Sequence, residues 1–151
     1  MKVLTVCLGN ICRSPLAEGI LRDKAHSMGL DWEVDSAGTS SWHIDEAPDP
    51  RSRQVANKYQ IDISRQKARQ FKPSDFDLFD KILVMDQSNY RDVVSQANSQ
   101  DDKDKVELIL NYLEPGKNRE VPDPYWDDNG FEHVFQLLDK ASDAFIKRHQ
   151  Q

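Results

Sequence analysis

The segment Cys7-Leu8-Gly9-Asn10-Ile11-Cys12-Arg13-Ser14 sets a thiol and an arginine with five residues between them, a glycine among the five and a hydroxyl directly after. Residues of these types at this spacing suit nucleophilic attack on a tetrahedral anion. Successive backbone N–H groups of a tight loop converge on a concavity, and the positive end of a following helix adds to the attraction for a dianion. Arg13 supplies a planar fork that binds two phosphate oxygens at once and keeps its proton at working pH, which a lysine would do less well. That field favours Cys7 as a thiolate, the nucleophilic form of cysteine. The Ser14 hydroxyl is placed to donate to the sulfur and to stabilise it as a leaving group. Gly9 offers the positive φ that such loops commonly need, and Asn10 tolerates the left-handed region better than most residues. Leu8, Gly9, Asn10, Ile11, Cys12, Arg13 and Ser14 are therefore the expected phosphate-binding residues, with Cys7 as nucleophile. A blander reading makes Cys7 a small buried residue at a strand end, since a bare Cys-x5-Arg pair arises by chance. The whole string between a buried strand and a Ser-Pro helix start favours the catalytic reading.

Elements must hold this loop in shape. An apolar run over 3–6 suits a buried parallel strand that delivers Cys7 at its end. A helix follows, with Ser14 as expected N-cap, Pro15 at the first helical position and Gly29 as the stop. Residues 32–36 alternate at period two and predict a second strand, and Pro48-Asp49-Pro50 precedes a helix over 51–59. The run 81–85 is the clearest buried strand, followed by a helix-start signal at Asp86. The polar stretch 95–105 reads as a solvated loop, 106–110 as a fourth strand, and 131–146 as a helix with one apolar face. Strands alternating with helices indicate an α/β three-layer domain, flavodoxin-like, with a short parallel sheet of about four strands flanked by helices. Ligands of such folds sit at the carboxyl ends of the strands, where the loop from Cys7 to Arg13 falls.

Length and composition bound the rest. The 151 residues suit a single domain over 1–151, with 38% hydrophobic and 30% charged residues as in a soluble globular protein. No apolar run approaches a membrane span, and the N-terminal apolar run is too short for a signal peptide, so a cytoplasmic location is expected. The net charge of -6 repels nucleic acid and anionic lipid. His26, His43, His133 and His149 show no metal-ligand spacing with each other or with the cysteines, so neither metal nor cofactor is expected.

The string Cys7 to Ser14 resembles the phosphate-binding loop of the low-molecular-weight protein-tyrosine phosphatase family. Further segments look like that family in its order: 35–39, Trp42, Asp49-Pro50-Arg51-Ser52, Ala68-Arg69-Gln70, 85–89 and Asp123-Pro124-Tyr125-Trp126. The resemblance covers nearly the whole chain and implies a protein-tyrosine phosphatase working through a phosphocysteine intermediate. Phosphotyrosine-containing proteins are then the implied partners, together with a tyrosine kinase. It also implies Asp123 as the general acid that protonates the phenol and later activates water. Flanking prolines stiffen that segment, although Pro-Asp-Pro alone is an ordinary surface turn. Trp42, Tyr125 and Trp126 are expected to wall a narrow cleft that admits a phenyl ring and keeps a short serine stem from the nucleophile. Two departures stand out: Arg65 follows Ile63-Ser64 where many members carry a loop-buttressing histidine, and Asp45 stands where glycine is frequent.

Rival readings meet specific residues. An arsenate reductase of the same fold needs further cysteines after Cys12, and there are none. A protein-arginine phosphatase carries threonine where Ile11 stands. A phosphate-binding or flavodoxin-like module without turnover leaves Cys7 and Asp123 unexplained, and a nucleotide P-loop lacks its Gly-Lys-Ser/Thr. Cys12, on the same tight loop, is the expected redox partner of Cys7. It would form a disulfide that spares an oxidised Cys7 from irreversible damage.

Overall fold

The computed structural model describes residues 1–150. Four strands, β1 (Lys2–Cys7), β2 (Glu33–Gly38), β3 (Lys81–Val84) and β4 (Val106–Leu108), form one parallel sheet in the order β2-β1-β3-β4. The order reverses between β1 and β3. The carboxyl ends of these two strands therefore form the crevice in which doubly wound sheets bind ligands.

Period-two alternation divides β1 between two cores. Leu4 and Val6 face one layer with Ile82, Val84, Phe71, Phe76 and Val93. Val3 and Cys7 face the other, with Leu16, Ile20, Leu83, Phe135, Leu138 and Phe145. Helices α1 (Arg13–Ser27), α2 (Pro50–Lys58) and α6 (Gly130–His149) cover the second face, while α4 (Gln87–Val94) and α5 (Gln100–Asp104) pack toward β4. The alternation places Cys7 on the side where α1 begins. No helix among the described residues is long and apolar enough to cross a membrane.

Several local expectations give way to the tertiary structure. Helix α1 starts at Arg13, not after Ser14, so Ser14 is no cap and Pro15 is the third helical residue; the Cys12 position caps without a side-chain bond. The Ser14 hydroxyl is engaged by Asn10 and Cys7 instead. Gly29 does end the helix region, at φ +70°. The stretch 95–105 is not all loop: Ser99 caps α5 by accepting from the Asp102 amide at 3.1 Å, and Asp101 and Asp102 sit in its first turn. No residue of α5 is buried, so no apolar period marks it. Strand β4 stops at Leu108, and residues 109–112 form a 3-10 turn. The short helix α3 (Asp75–Leu78) rests on a buried carboxylate: Asp75 accepts from both Arg69 terminal nitrogens at 3.1 Å and from the Lys72 amide at 3.0 Å.

The β1–β2 register pairs Cys7 with Gly38, and the loop that follows Cys7 lies against Gly38. A Cβ there would stand 2.8 Å from the Leu8 carbonyl oxygen and 3.0 Å from the Asn10 amide nitrogen. Gly38→Ala is expected to cost about 1–3 kcal/mol of stability through overpacking against backbone and to weaken binding of inorganic phosphate. Denaturant unfolding and competitive inhibition by phosphate measure the two effects.

Candidate active site

The residues between β1 and α1 wind tightly, with the carbonyls of Cys7, Leu8, Ile11 and Cys12 each bonded to partners outside the loop. The Thr39 and Ser40 amides donate to the carbonyls of Cys7 and Leu8 at 2.9 Å, and the Asp49 amide donates to Ile11 at 2.8 Å. The Ser52 hydroxyl donates to the Cys12 carbonyl at 3.3 Å. With the carbonyls turned outward, the amides of this winding segment turn inward, and those of Leu8, Gly9, Ile11 and Cys12 donate to no protein acceptor. A ring of inward N–H groups next to a helix N-terminus is an anion cradle.

Asn10, not Gly9, takes the left-handed conformation, at φ +57°. Its amide donates to the Cys7 sulfur at 3.3 Å. The side-chain oxygen accepts from the Arg69 amide at 3.0 Å, which fixes the orientation of the carboxamide. Its Nδ2 donates to the hydroxyls of Ser14 at 2.8 Å and Ser36 at 2.9 Å. The Ser36 hydroxyl in turn donates to the buried Glu18 carboxyl group at 2.7 Å. Burial raises the Glu18 carboxyl above its ordinary range, against the hydrogen bond from Ser36 and the charge of Arg22, 2.7 Å away. Ser14 already accepts from Asn10, so its proton is free for the sulfur at 3.1 Å, a closer acceptor than the Ala37 carbonyl at 3.4 Å.

Arg13 is almost fully buried, and its Nη1 donates to Asp86 at 2.7 Å and to the Val121 carbonyl at 3.0 Å. Burial pulls its guanidinium down, but the Cys7 sulfur and then Asp86 outweigh that effect, and the net shift is upward. Arg13 is thus held charged and fixed in direction at the wall of the site. Cys12 behaves in the opposite sense: burial, then Asp49 and Cys7, push its thiol up to about 12.

Cys7, Leu8, Gly9, Ile11, Cys12, Arg13, Trp42, His43, Asp123, Tyr125 and Trp126 enclose a cavity of about 260 Å³. The structure thus brings the expected nucleophile, arginine, acid and all three aromatics to one site. Asn10 and Ser14, also expected to bind phosphate, do not line this cavity; they shape the loop through their hydrogen bonds to each other and to Cys7. Trp42 and Trp126 are 72% and 87% exposed at the mouth, and Tyr125 meets Trp126 edge to face at 4.8 Å. The Asp123 carboxylate accepts from the Tyr125 amide at 3.1 Å.

Four participants were not singled out from the sequence: Asp86, Ser36, Glu18 and His43. Asp86 lies two residues past the carboxyl end of β3 and Ser36 in the carboxyl half of β2, toward the strand ends where ligands bind, which is the signal that points to them. His43 packs its ring 3.1 Å from the Cβ position of Gly9 and pairs with Glu46 at 2.9 Å. Arg65 is exposed, and the side chain that turns inward is its neighbour Gln66, which donates to the Pro15 carbonyl at 3.1 Å. Asp45 takes φ +69°, the conformation that glycine would adopt there.

The family profile "Low molecular weight phosphotyrosine protein phosphatase" matches residues 2–151. The human low molecular weight phosphotyrosine protein phosphatase is 41% identical over 150 residues, covering 97% of this chain and 94% of the human protein. The Schizosaccharomyces pombe protein of the same name is 40% identical, with 97% and 96% covered. The crystal structure of YfkJ from Bacillus subtilis superposes with a TM-score of 0.91 at 37% identity, covering 100% of this chain and 97% of that one.

Ser14→Ala removes one of the two hydrogen bonds to the sulfur. A hydrogen bond to a charged group contributes about 1.5–3 kcal/mol, so turnover is expected to fall roughly ten- to a hundred-fold, while inorganic phosphate still binds. Steady-state rates and phosphate inhibition on the same protein check both parts.

Proposed function

This chain belongs to the low molecular weight phosphotyrosine protein phosphatase family, and on that premise we propose that Cys7, Arg13 and Asp123 perform its hydrolysis of phosphotyrosine and aryl phosphate monoesters. The phosphate dianion enters the ring of inward amides and the fork of Arg13. The Cys7 thiolate attacks phosphorus in line, the P–O bond to the phenol breaks, and Asp123 gives its proton to the departing oxygen. The resulting phosphocysteine is attacked by a water whose proton passes to the Asp123 carboxylate. The P–S bond then breaks, and the sulfur leaves as a thiolate held by Ser14 and the Asn10 amide. Amides and guanidinium fixed before the substrate arrives stabilise charge in the transition state without reorganising.

The observation that carries this reading is the outward turn of the loop carbonyls, which leaves amide donors, the Cys7 sulfur and Arg13 facing one cavity with Asp123. Cys7 is buried at the base while the aromatics stand at the mouth, so a phenyl ring spans the distance and a serine stem falls short. In this reading residues 1–151 act as one phosphatase domain in the cytoplasm. The substrates are phosphotyrosine-containing proteins, acted on in opposition to a tyrosine kinase. Neither metal nor cofactor is needed, because the amides and Arg13 supply the positive field. The net charge of -6 disfavours nucleic acid and anionic membranes as partners.

Cys7→Ser is expected to bind phosphate without turning over substrate. The wild type, assayed without metal on peptides carrying phosphotyrosine, phosphoserine, phosphothreonine or phosphoarginine, is expected to hydrolyse the first. Turnover by the serine variant, or equal rates on phosphoserine, contradicts the assignment.

Cys12 completes the reading as redox partner. Its protonated thiol leaves Cys7 as the sulfur that peroxide converts to sulfenic acid. Condensation with Cys12 releases water and forms a disulfide that cellular thiols reduce. After peroxide and then reductant, wild type is expected to recover more activity than Cys12→Ser. Equal recovery, or no disulfide by intact mass in wild type, leaves Cys12 a packing residue.

A further inference from the structure

The catalytic acid sits on a segment that is poorly tied to the scaffold. Within residues 122–129 the backbone and carboxylate bonds are local: Asp127 to Pro124, Tyr125 to Asp123 and Asn129 to Asp127. Val121 is anchored through the Met85 carbonyl and Arg13. Beyond it, among the described residues, and apart from the Gly130 amide at the start of α6, which donates to the adjacent Asp127 carbonyl, one hydrogen bond crosses from this segment to the rest of the protein. It runs from Arg51 Nη1 to Asp128.

Arg51 lies in the first turn of α2, and the other two nitrogens of its guanidinium are both engaged. Nε and Nη2 form a fork with Asp49 at 3.0 and 2.9 Å. Asp49 caps α2 by accepting from the Arg51 amide at 2.8 Å, and its own amide donates to the Ile11 carbonyl of the phosphate loop. The guanidinium carbon stands 5.5 Å from the Tyr125 ring centre and 4.6 Å from that of Phe131. These are cation–π distances, and they grip the cleft wall as well as the base of α6.

We propose that Arg51 is a positioning residue for the acid: a strut that takes its bearing from the phosphate loop through Asp49 and fixes the 122–129 segment, so that Asp123 stands over the leaving-group oxygen. This inference rests on Asp123 as proton donor. Only a three-way fork serves here, because two donors must hold Asp49 while the third reaches Asp128 and the flat face covers the rings. Cutting the strut leaves the cradle intact, since the Asp49-to-Ile11 bond is between backbone groups. What is lost is the placement of a proton, and that loss depends on how badly the leaving group needs one.

The experiment compares kcat/KM for phenyl phosphate and 2,4-dinitrophenyl phosphate in wild type, Arg51→Ala, Asp128→Ala and Asp123→Asn, with inhibition by inorganic phosphate and thermal unfolding on each. Asp128 is exposed, so its variant cuts the same strut without endangering the fold. Both strut variants are expected to lose roughly ten-fold or more on phenyl phosphate, less than Asp123→Asn loses, and little on the dinitrophenyl ester, with phosphate inhibition unchanged. Equal loss on both esters, a parallel loss of phosphate binding, or no loss in either variant overturns the strut. A flat leaving-group dependence in Asp123→Asn overturns the acid assignment itself, and is read separately from the strut variants.

Discussion

The carboxamide of Asn10 is the node on which the site depends. One residue in a left-handed conformation receives a backbone amide from the 69–70 segment and donates to hydroxyls from α1 and β2. Its own N–H turns to the nucleophilic sulfur. The β1–β2 register, the start of α1 and the bridge from Gly38 to Gln70 all converge there. A buried carboxamide has a fixed number of donors and acceptors, and here its two N–H bonds and one carbonyl bond are used. Because Ser36 must donate to Glu18, Asn10 must donate to both hydroxyls, and Ser14 is left to donate to Cys7. The proton order of the site follows from that sequence of obligations, and a half-satisfied network of this kind would cost more than an apolar core.

The same economy governs charge. A chain with net charge -6 attracts a dianion only by local means, and burying Arg13 without a partner would be strongly unfavourable. Asp86 resolves this by holding Nη1 from the far side, at the carboxyl end of β3. The arginine is thereby neutralised enough to be buried and aimed well enough to serve. It reports on both switch-point strands at once: it follows the loop after β1 and leans on the residue after β3. The order β2-β1-β3-β4 is what makes these two ends neighbours.

Much of this was legible in the chain and some was not, for physical reasons. The runs at 3–6 and 81–85 betrayed buried strands because both faces are covered; Thr5 is buried within the first with its hydroxyl donating to the Ser14 carbonyl, and Lys81 only opens the second. The Cys7 to Ser14 string was readable because an anion cradle needs particular residue types close in sequence. Ser14 misled as a helix cap: local rules assign a Ser-Pro pair to a helix start, whereas the helix begins at Arg13 and the hydroxyl of its second residue is taken up by Asn10 and Cys7. Gly9 misled as the left-handed residue because side-chain hydrogen bonds pay for that conformation at Asn10. Helix α5 escaped notice because it buries nothing, and Glu18, Ser36 and Asp86 because they act from separate elements through contacts that no spacing encodes. Arg51 stood in a segment that resembled the family, yet its reach to Asp128 is a property of the fold alone.

The proposed nucleophile and the proposed acid are thus held differently: Cys7 is buried at the end of β1 and bonded by Ser14 and Asn10, while Asp123 lies on an exposed segment whose carboxylate bond is local. The central claim is that the reaction passes through covalent phosphate on Cys7. The direct measurement is phosphorus NMR on enzyme mixed with a phosphotyrosine peptide and quenched into alkaline denaturant, followed by mapping of the modified peptide. The account predicts a phosphorothiolate resonance and a phosphoryl group on Cys7. Phosphate on another residue, or no covalent phosphate on enzyme quenched during active turnover, would contradict it.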